Sequence, residues 1–256
     1  MDTRRGFTLV ELLVVISILA VLMAILMPSL RQARDQARRI HCISNVRALT
    51  LGWLMYKDEH SGRIVFGGTK GEAAWVDDKL QTTWEDQQAG IRRGRLFKYV
   101  GKEPDVYRCP ADPRKPSAAG RYVAFRTFSI PGGANGETWG NCKITTLYSQ
   151  IRNPVTKYVF VEELDVREGG NMGSWQLERE RWVDAIAMWH HKKTTLAFAD
   201  GHAETRAWRD RTLIEWTITA LNRPQAFSFG RTPEHGDRVD FDSMVNGYPA
   251  QAIASP

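Results

Sequence analysis

Residues 7–30 read FTLVELLVVISILAVLMAILMPSL, and Glu11 is the single ionisable side chain among them. At 1.5 Å per residue an α-helix of this length covers about 36 Å, enough to cross a hydrocarbon core of about 30 Å. Arg4 and Arg5 precede it, so a cleaved secretory signal is the competing explanation. Against that, the apolar stretch exceeds the usual signal core of about 7–15 residues, and no A-x-A site follows. A carboxylate near the start of an apolar helix is costly to bury, which gives Glu11 a purpose or a partner. Arg31, Arg34, Arg38 and Arg39 flank the far end, so the basic residues alone leave the orientation open.

Beyond the apolar segment the helical pattern continues. Ala33, Ala37, Ile40, Ile43, Val46, Leu49, Trp53 and Tyr56 recur at steps of three or four and form one stripe. The polar run 57–62 ends in Gly62, a reasonable stop. This predicts one helix over residues 7–60, membrane-spanning over about 7–30 and packed on a domain further on. A basic amphipathic segment lying on lipid is the alternative for its second half. Residues 61–256 carry glycine and proline punctuation, with strands expected at 63–66, 122–130, 157–163, 194–199 and 202–208. A short helix is expected near 87–100, and loops at 131–136 and 167–174. With no internal repeat and no Pro-rich linker, residues 61–256 read as one domain. The fold class is therefore α+β, a long N-terminal helix packed on a single antiparallel-sheet domain.

The chain has 256 residues, 43% of them hydrophobic and 25% charged, which excludes disordered, collagen-like and mini-protein classes. Lys and Arg number 35 against 29 Asp and Glu, and the resulting net charge of +6 fits an anionic partner or a plain soluble surface equally well. Three cysteines without C-x-x-C spacing write neither a disulfide framework nor a zinc ribbon.

The segment Arg4-Arg5-Gly6-Phe7-Thr8-Leu9-Val10-Glu11 resembles the signal of type IV pilins and type II secretion pseudopilins. The resemblance implies a pilin-like fold and a leader of residues 1–6, cut between Gly6 and Phe7 by a prepilin peptidase that methylates the new N-terminus at Phe7. Glu11 then becomes the fifth mature residue, where the family keeps its glutamate, and Pro28 falls where many members carry a helix-bending proline. It further implies a bacterial inner-membrane protein with a single span and a periplasmic domain. Implied partners are other pseudopilins or pilins and an inner-membrane assembly platform, with energy from a separate ATPase, since no P-loop is present here. Residues 94–100, 106–112, 151–154 and 198–204 look like a pseudopilin-like group with an H-X9-DG region, matched by His190 and Asp200-Gly201.

Glu11 has two physical uses within this scheme. A helix N-terminus can satisfy a carboxylate through its free N–H groups and dipole. In a filament, Glu11 can instead pair with the amino group of Phe7 on a neighbouring subunit and fix the axial register. Further on, Asp200-Gly201 between two strand patterns predicts a two-residue type I′ turn pairing 199 with 202, 198 with 203 and 196 with 205. Leu196, Phe198, Ala203, Thr205 and Ala207 would share a core face, and His202, Glu204 and Arg206 a wetter one. An extended strand would hold His190 roughly 33 Å from Asp200, which argues against a shared catalytic metal unless residues 190–193 fold back. It also puts His191 near Asp210.

Two acidic groups are calcium candidates: Glu162, Glu163 and Asp165 at a strand end, and Asp237, Asp240 and Asp242 in a late loop. Major pseudopilins use a calcium loop, but no EF-hand spacing is present here, so no cofactor is assigned. An oxidising compartment would allow one disulfide among Cys42, Cys109 and Cys142, with Cys42–Cys109 the favoured pair because it would tie the stem to the Cys-Pro loop, and three reduced thiols the alternative. Scattered tryptophans and the basic balance invite a nucleic-acid or adhesive role, but no RNP, helix-turn-helix or Lys/Arg-dense patch supports binding to nucleic acid. The expected function is a structural filament subunit, not an enzyme. A minor pilin with an adhesive or DNA-binding role and a membrane-anchored metal-dependent hydrolase are the alternatives.

Overall fold

The computed structural model describes residues 8–71, 73–77, 83–114, 124–137, 143–166, 173–224, 227–234, 236 and 238–249. Helix α1 runs over Leu9–Glu59, about 77 Å of continuous helix. Thr8 caps its start in the extended conformation. Pro28 lies inside α1, where its missing N–H leaves the carbonyl one turn earlier without a helical donor. Every residue from 9 to 30 is exposed. The helix is buried against the domain from Cys42 onward, at Cys42, Asn45, Val46, Leu49, Thr50, Gly52 and Trp53, with a polar contact earlier in the helix at Asp35. The predicted stripe thus holds at Val46, Leu49 and Trp53, whereas Ala33, Ala37 and Ile40 remain exposed above the domain. Gly52 permits this docking, because a Cβ there would stand 2.8 Å from Val100 Cγ1 and 3.2 Å from Tyr99 Cβ.

Helix α2, Trp84–Arg93, starts at Thr83, whose hydroxyl accepts from the Asp86 N–H at 3.1 Å. Glu85 and Asp86 sit in its first turn and Arg92 and Arg93 in its last, matching the helix dipole at both ends. Four strands follow as an antiparallel meander in chain order: β1 (Phe128–Ser129), β2 (Tyr158–Glu162), β3 (Lys193–Phe198) and β4 (Ala203–Ala207). The central β2 and β3 are almost wholly buried, which fits the apolar run of β2 up to Glu162 and the Leu196-Ala197-Phe198 end of β3. A bulge between Tyr158 and Phe160 shifts the β2–β3 register, pairing Tyr158 with Phe198 and Phe160 with Ala197.

The sheet divides two cores. On one side Phe160 and Ala197 pack with Val46, Leu49 and Trp53 of the stem and with Trp75 and Tyr107. On the other, Tyr158, Val161 and Leu196 pack with Trp175, Trp182 and residues of α3 (Arg211–Asn222) and α4 (Val239–Gly247).

Several expectations change. The strand expected at 63–66 is two isolated bridges, Arg63 to Leu147 and Phe66 to Ala74. That expected at 122–130 contracts to β1, and residues 122 and 123 lie outside the described residues. Helices α3 and α4 were not anticipated, and the late loop assigned to Asp240 and Asp242 is the first turn of α4, where acids favour the dipole.

The β3–β4 hairpin is also shifted by one residue, pairing Ala197 with Ala203 and Leu196 with Glu204. Phe198 accepts from the Gly201 N–H at 2.9 Å and donates to the His202 carbonyl at 2.9 Å. Gly201 has φ +101°. This is a three-residue loop with a glycine bulge, the alternative to the two-residue turn. A one-residue shift exchanges every side chain between faces. Leu196 and Phe198 therefore share their side with His202, Glu204 and Arg206, while Ala203, Thr205 and Ala207 turn to the opposite face.

Candidate functional site

Two features of the molecule carry chemistry: the start of the stem, and a polar cluster buried where stem and domain meet. At the stem, Glu11 is the third residue of α1, and its Oε2 accepts from the Thr8 N–H at 2.9 Å and the Thr8 hydroxyl at 2.7 Å. The Glu11 N–H in turn donates to Thr8 Oγ1 at 3.3 Å. This is a reciprocal capping box, in which a Thr and a Glu three residues apart satisfy two donors left over at a helix start. Gly6 and Phe7 lie outside the described residues. Below the cap, the large apolar side chains from Leu9 to Leu30 face outward with no protein covering them. The most apolar window of α1 is long enough to cross a bilayer, and none of it is buried.

At the junction, Cys42 of α1, Cys109, Glu162 of β2 and His190 bring their ligand-type atoms within 4.8 Å of one another, all four buried. Cys42 donates to Glu162 Oε1 at 2.9 Å. Cys109 Sγ lies 3.2 Å from His190 Nε2, which lies 3.7 Å from Glu162 Oε1. Burial pushes the Cys42 thiol well up, and the neighbouring Cys109 and Glu162 add to the rise. Burial works against a charged His190, but hydrogen bonds to Cys109 and Glu162 outweigh it and push the imidazole up to about 9.

Sequence reasoning missed this cluster for an identifiable reason. The strand was extended back to His190, whereas β3 begins at Lys193 and the preceding residues reverse direction. His191 and Lys192 both take left-handed backbone angles, φ +54° and +60°. That reversal turns His190 inward beside the two thiols. It sends His191 to the stem, where its Nε2 lies 3.0 Å from Asp35 Oδ2, rather than to Asp210. The expected Cys42–Cys109 disulfide is absent. Both are free thiols, each turned to a polar partner, with their sulfurs within 4.8 Å of each other. Cys142 lies outside the described residues.

The acidic candidates disperse. Glu162 joins the thiols, while Glu163, the next residue, accepts from the Ser129 hydroxyl. Burial, with Asp184 and Asp165 nearby, pushes the Glu163 carboxyl up to about 8. The Asp165 carbonyl accepts from Arg114 Nη1 at 2.9 Å. Asp240 is held by backbone donors and Arg206, and Asp242 pairs with Arg238 at 3.3 Å. Asp237 is outside the described residues. Asp200 stays in its turn, 2.6 Å from His202 Nδ1.

An outward-facing apolar stem, capped by its own glutamate and continuing into a helix docked on an antiparallel sheet, defines a pilin-like subunit. Residues 1–27 match the prokaryotic N-terminal methylation motif. The type II secretion system core protein G of Klebsiella michiganensis is 39% identical over 115 residues, 44% of this chain and 69% of that protein. The chain belongs to this family, the type II secretion pseudopilins. The core protein G of Klebsiella pneumoniae is 41% identical over 61 residues, and that of Escherichia coli K12 is 40% identical over 60. Those matches cover 24% and 23% of this chain and 44% and 41% of the two relatives. No solved structure matches. The family is structural, and the chain is a pilin-like, membrane-anchored subunit.

Proposed function

We propose that the chain is cut between Gly6 and Phe7 by a prepilin peptidase and N-methylated on Phe7. It then assembles stem to stem with other pseudopilins on an inner-membrane platform. The domain stands outside the cytoplasm and forms the outer surface of the filament. The observation that carries this is the uncovered apolar face of residues 9–30 with Glu11 as its single charge. In a bilayer that surface is solvated by lipid, and in a filament by neighbouring stems. Glu11 exchanges its Thr8 cap for the Phe7 amino group of the next subunit, which sets the axial register and neutralises a carboxylate in apolar surroundings.

The test is intact mass and N-terminal analysis of the membrane-extracted protein with the peptidase present and absent. Peptidase-dependent loss of residues 1–6 and a methyl group on Phe7 is the expected result. An unprocessed N-terminus leaves a plain single-span anchor and removes the filament role.

A further inference from the structure

We propose that Cys42, Cys109, Glu162 and His190 form a closed, four-ligand site for a zinc-class divalent ion that clamps the stem helix to the domain.

The donor set comes first. Thiolate, imidazole and carboxylate are each donors that Zn²⁺ takes, and four of them suit its tetrahedral shell. Oxygen-rich sites suit calcium and magnesium, and sulfur ligands do not. Zinc bonds of about 2.0–2.3 Å give tetrahedron edges of roughly 3.3–3.8 Å. The measured separations of 2.9, 3.2 and 3.7 Å, with all four atoms inside 4.8 Å, need only small rotamer adjustments to reach that geometry.

The surroundings are those of a supported site. The Ala111 N–H points at Cys109 Sγ at 3.4 Å, and the Thr195 N–H donates to Glu162 Oε2 at 2.5 Å, leaving Oε1 for the cluster. Such donors orient ligands and offset the one negative charge left by two thiolates, a carboxylate and a divalent ion. The cluster sits among Val46, Leu49, Tyr107 and Phe160, where buried polar groups are paired or coordinate metals. His190 also lines a cleft of ≈ 230 Å³ with Gln32, Asp35, Arg39 and Lys193, which gives an ion a way in.

Four protein ligands fill a tetrahedral shell and leave no open position for substrate, so the site is structural. Its ligands come from the stem, the Cys-Pro loop, β2 and the turn before β3, and one ion fastens all four. Binding releases the two thiol protons, and the imidazole proton where His190 carries one, to solvent, so affinity falls in acid.

The experiment uses the full-length chain purified in detergent and equilibrated with stoichiometric Zn²⁺. About one zinc per chain is expected, with an X-ray absorption shell of two sulfurs near 2.3 Å and two nitrogen or oxygen atoms at about 2.0–2.2 Å. Cys109→Ser and Glu162→Gln each weaken retention at least about tenfold. His191→Ala, at the neighbouring exposed position, retains the ion. Wild-type protein that holds no zinc, a shell without sulfur, or a Cys42–Cys109 disulfide in peptide maps overturns the site. The absorption measurement needs no variant, so a variant that fails to fold does not obscure the result.

Discussion

Glu11 and Thr8 hold each other at the head of the stem: the carboxylate accepts both the backbone N–H and the hydroxyl of Thr8, and Thr8 Oγ1 accepts the Glu11 N–H. The charge proposed to pair with a neighbouring subunit is therefore already satisfied within the lone chain, and assembly exchanges one partner for another. Glutamine also supports a capping box, so Glu11→Gln keeps the helix start and removes only the charge. We expect Glu11→Gln and Glu11→Ala to be processed normally and to be missing from sheared filaments. Thr8→Ala, which costs about 1 kcal/mol of cap, should still assemble. Filaments of Glu11→Gln at wild-type level would remove the ionic role.

Trp53 fixes the stem to the domain. It is fully buried, with its ring 5.9 Å from that of Tyr148, and its indole N–H has no acceptor among the described residues. Packing is then its whole contribution. Trp53→Ala should cost about 3–5 kcal/mol in chemical denaturation of the detergent-solubilised chain, and Trp53→Phe much less. Ile40→Ala, on the same helix but exposed above the domain, should stay within about 0.5 kcal/mol. Equal losses at the two positions would mean that the domain also packs on Ile40.

The stem was legible because its signal is local: the apolar run over residues 9–30 and the helical stripe from Val46 to Trp53 both appear in α1, the latter as its buried face. Strands β2, β3 and β4 were legible for the same reason. What failed depends on single residues or on distance along the chain. One bulge at Gly201 moved the hairpin register and exchanged the two faces of β4. Two left-handed residues, His191 and Lys192, turned His190 away from a strand that composition alone would have extended through it. The cluster joins positions 42, 109, 162 and 190, so no spacing motif announces it. The expected disulfide was the nearest hint, since it placed Cys42 against Cys109. Helix α4 escaped notice because Asp240 and Asp242 resemble loop acids until Asp210 is seen to accept from the N–H groups of Asp240 and Phe241.

Gly201 sets the β3–β4 register through its backbone. At φ +101° a side chain is strained, and a Cβ would also stand 3.2 Å from Leu54 Cδ1 of the stem. Gly201→Ala should cost about 1–2 kcal/mol from the left-handed conformation alone, read as a lowered thermal midpoint. Asp200→Ala removes the carboxylate that accepts from the His202 N–H at 3.2 Å and should cost about 1 kcal/mol. A two-residue I′ turn would have required Asp200 to be left-handed as well, which it is not, and an unchanged midpoint in Gly201→Ala would contradict the positive φ at Gly201.

Asp210 caps the start of α4, and Asp240 in return holds the backbone that leads into α3. Asp240 Oδ2 accepts from the N–H groups of Arg209 and Asp210 at 2.5 and 2.8 Å, and Asp210 Oδ2 accepts from those of Asp240 and Phe241 at 2.9 and 3.2 Å. Both carboxylates are buried, and each lies at a helix start where the dipole favours negative charge. Arg206 Nη2, 3.3 Å from Asp240 Oδ1, links the pair to β4. Asp240→Ala strands two backbone donors and should cost about 1–3 kcal/mol in thermal or denaturant unfolding. Asp240→Asn keeps an acceptor oxygen and should recover part of that. Asp242→Ala, whose exposed carboxylate pairs with Arg238, should change little. If Asp240→Ala and Asp242→Ala instead lose stability equally, and only when calcium is supplied, the two acids act together on a cation and the Asp210–Asp240 exchange is not what holds α3 to α4.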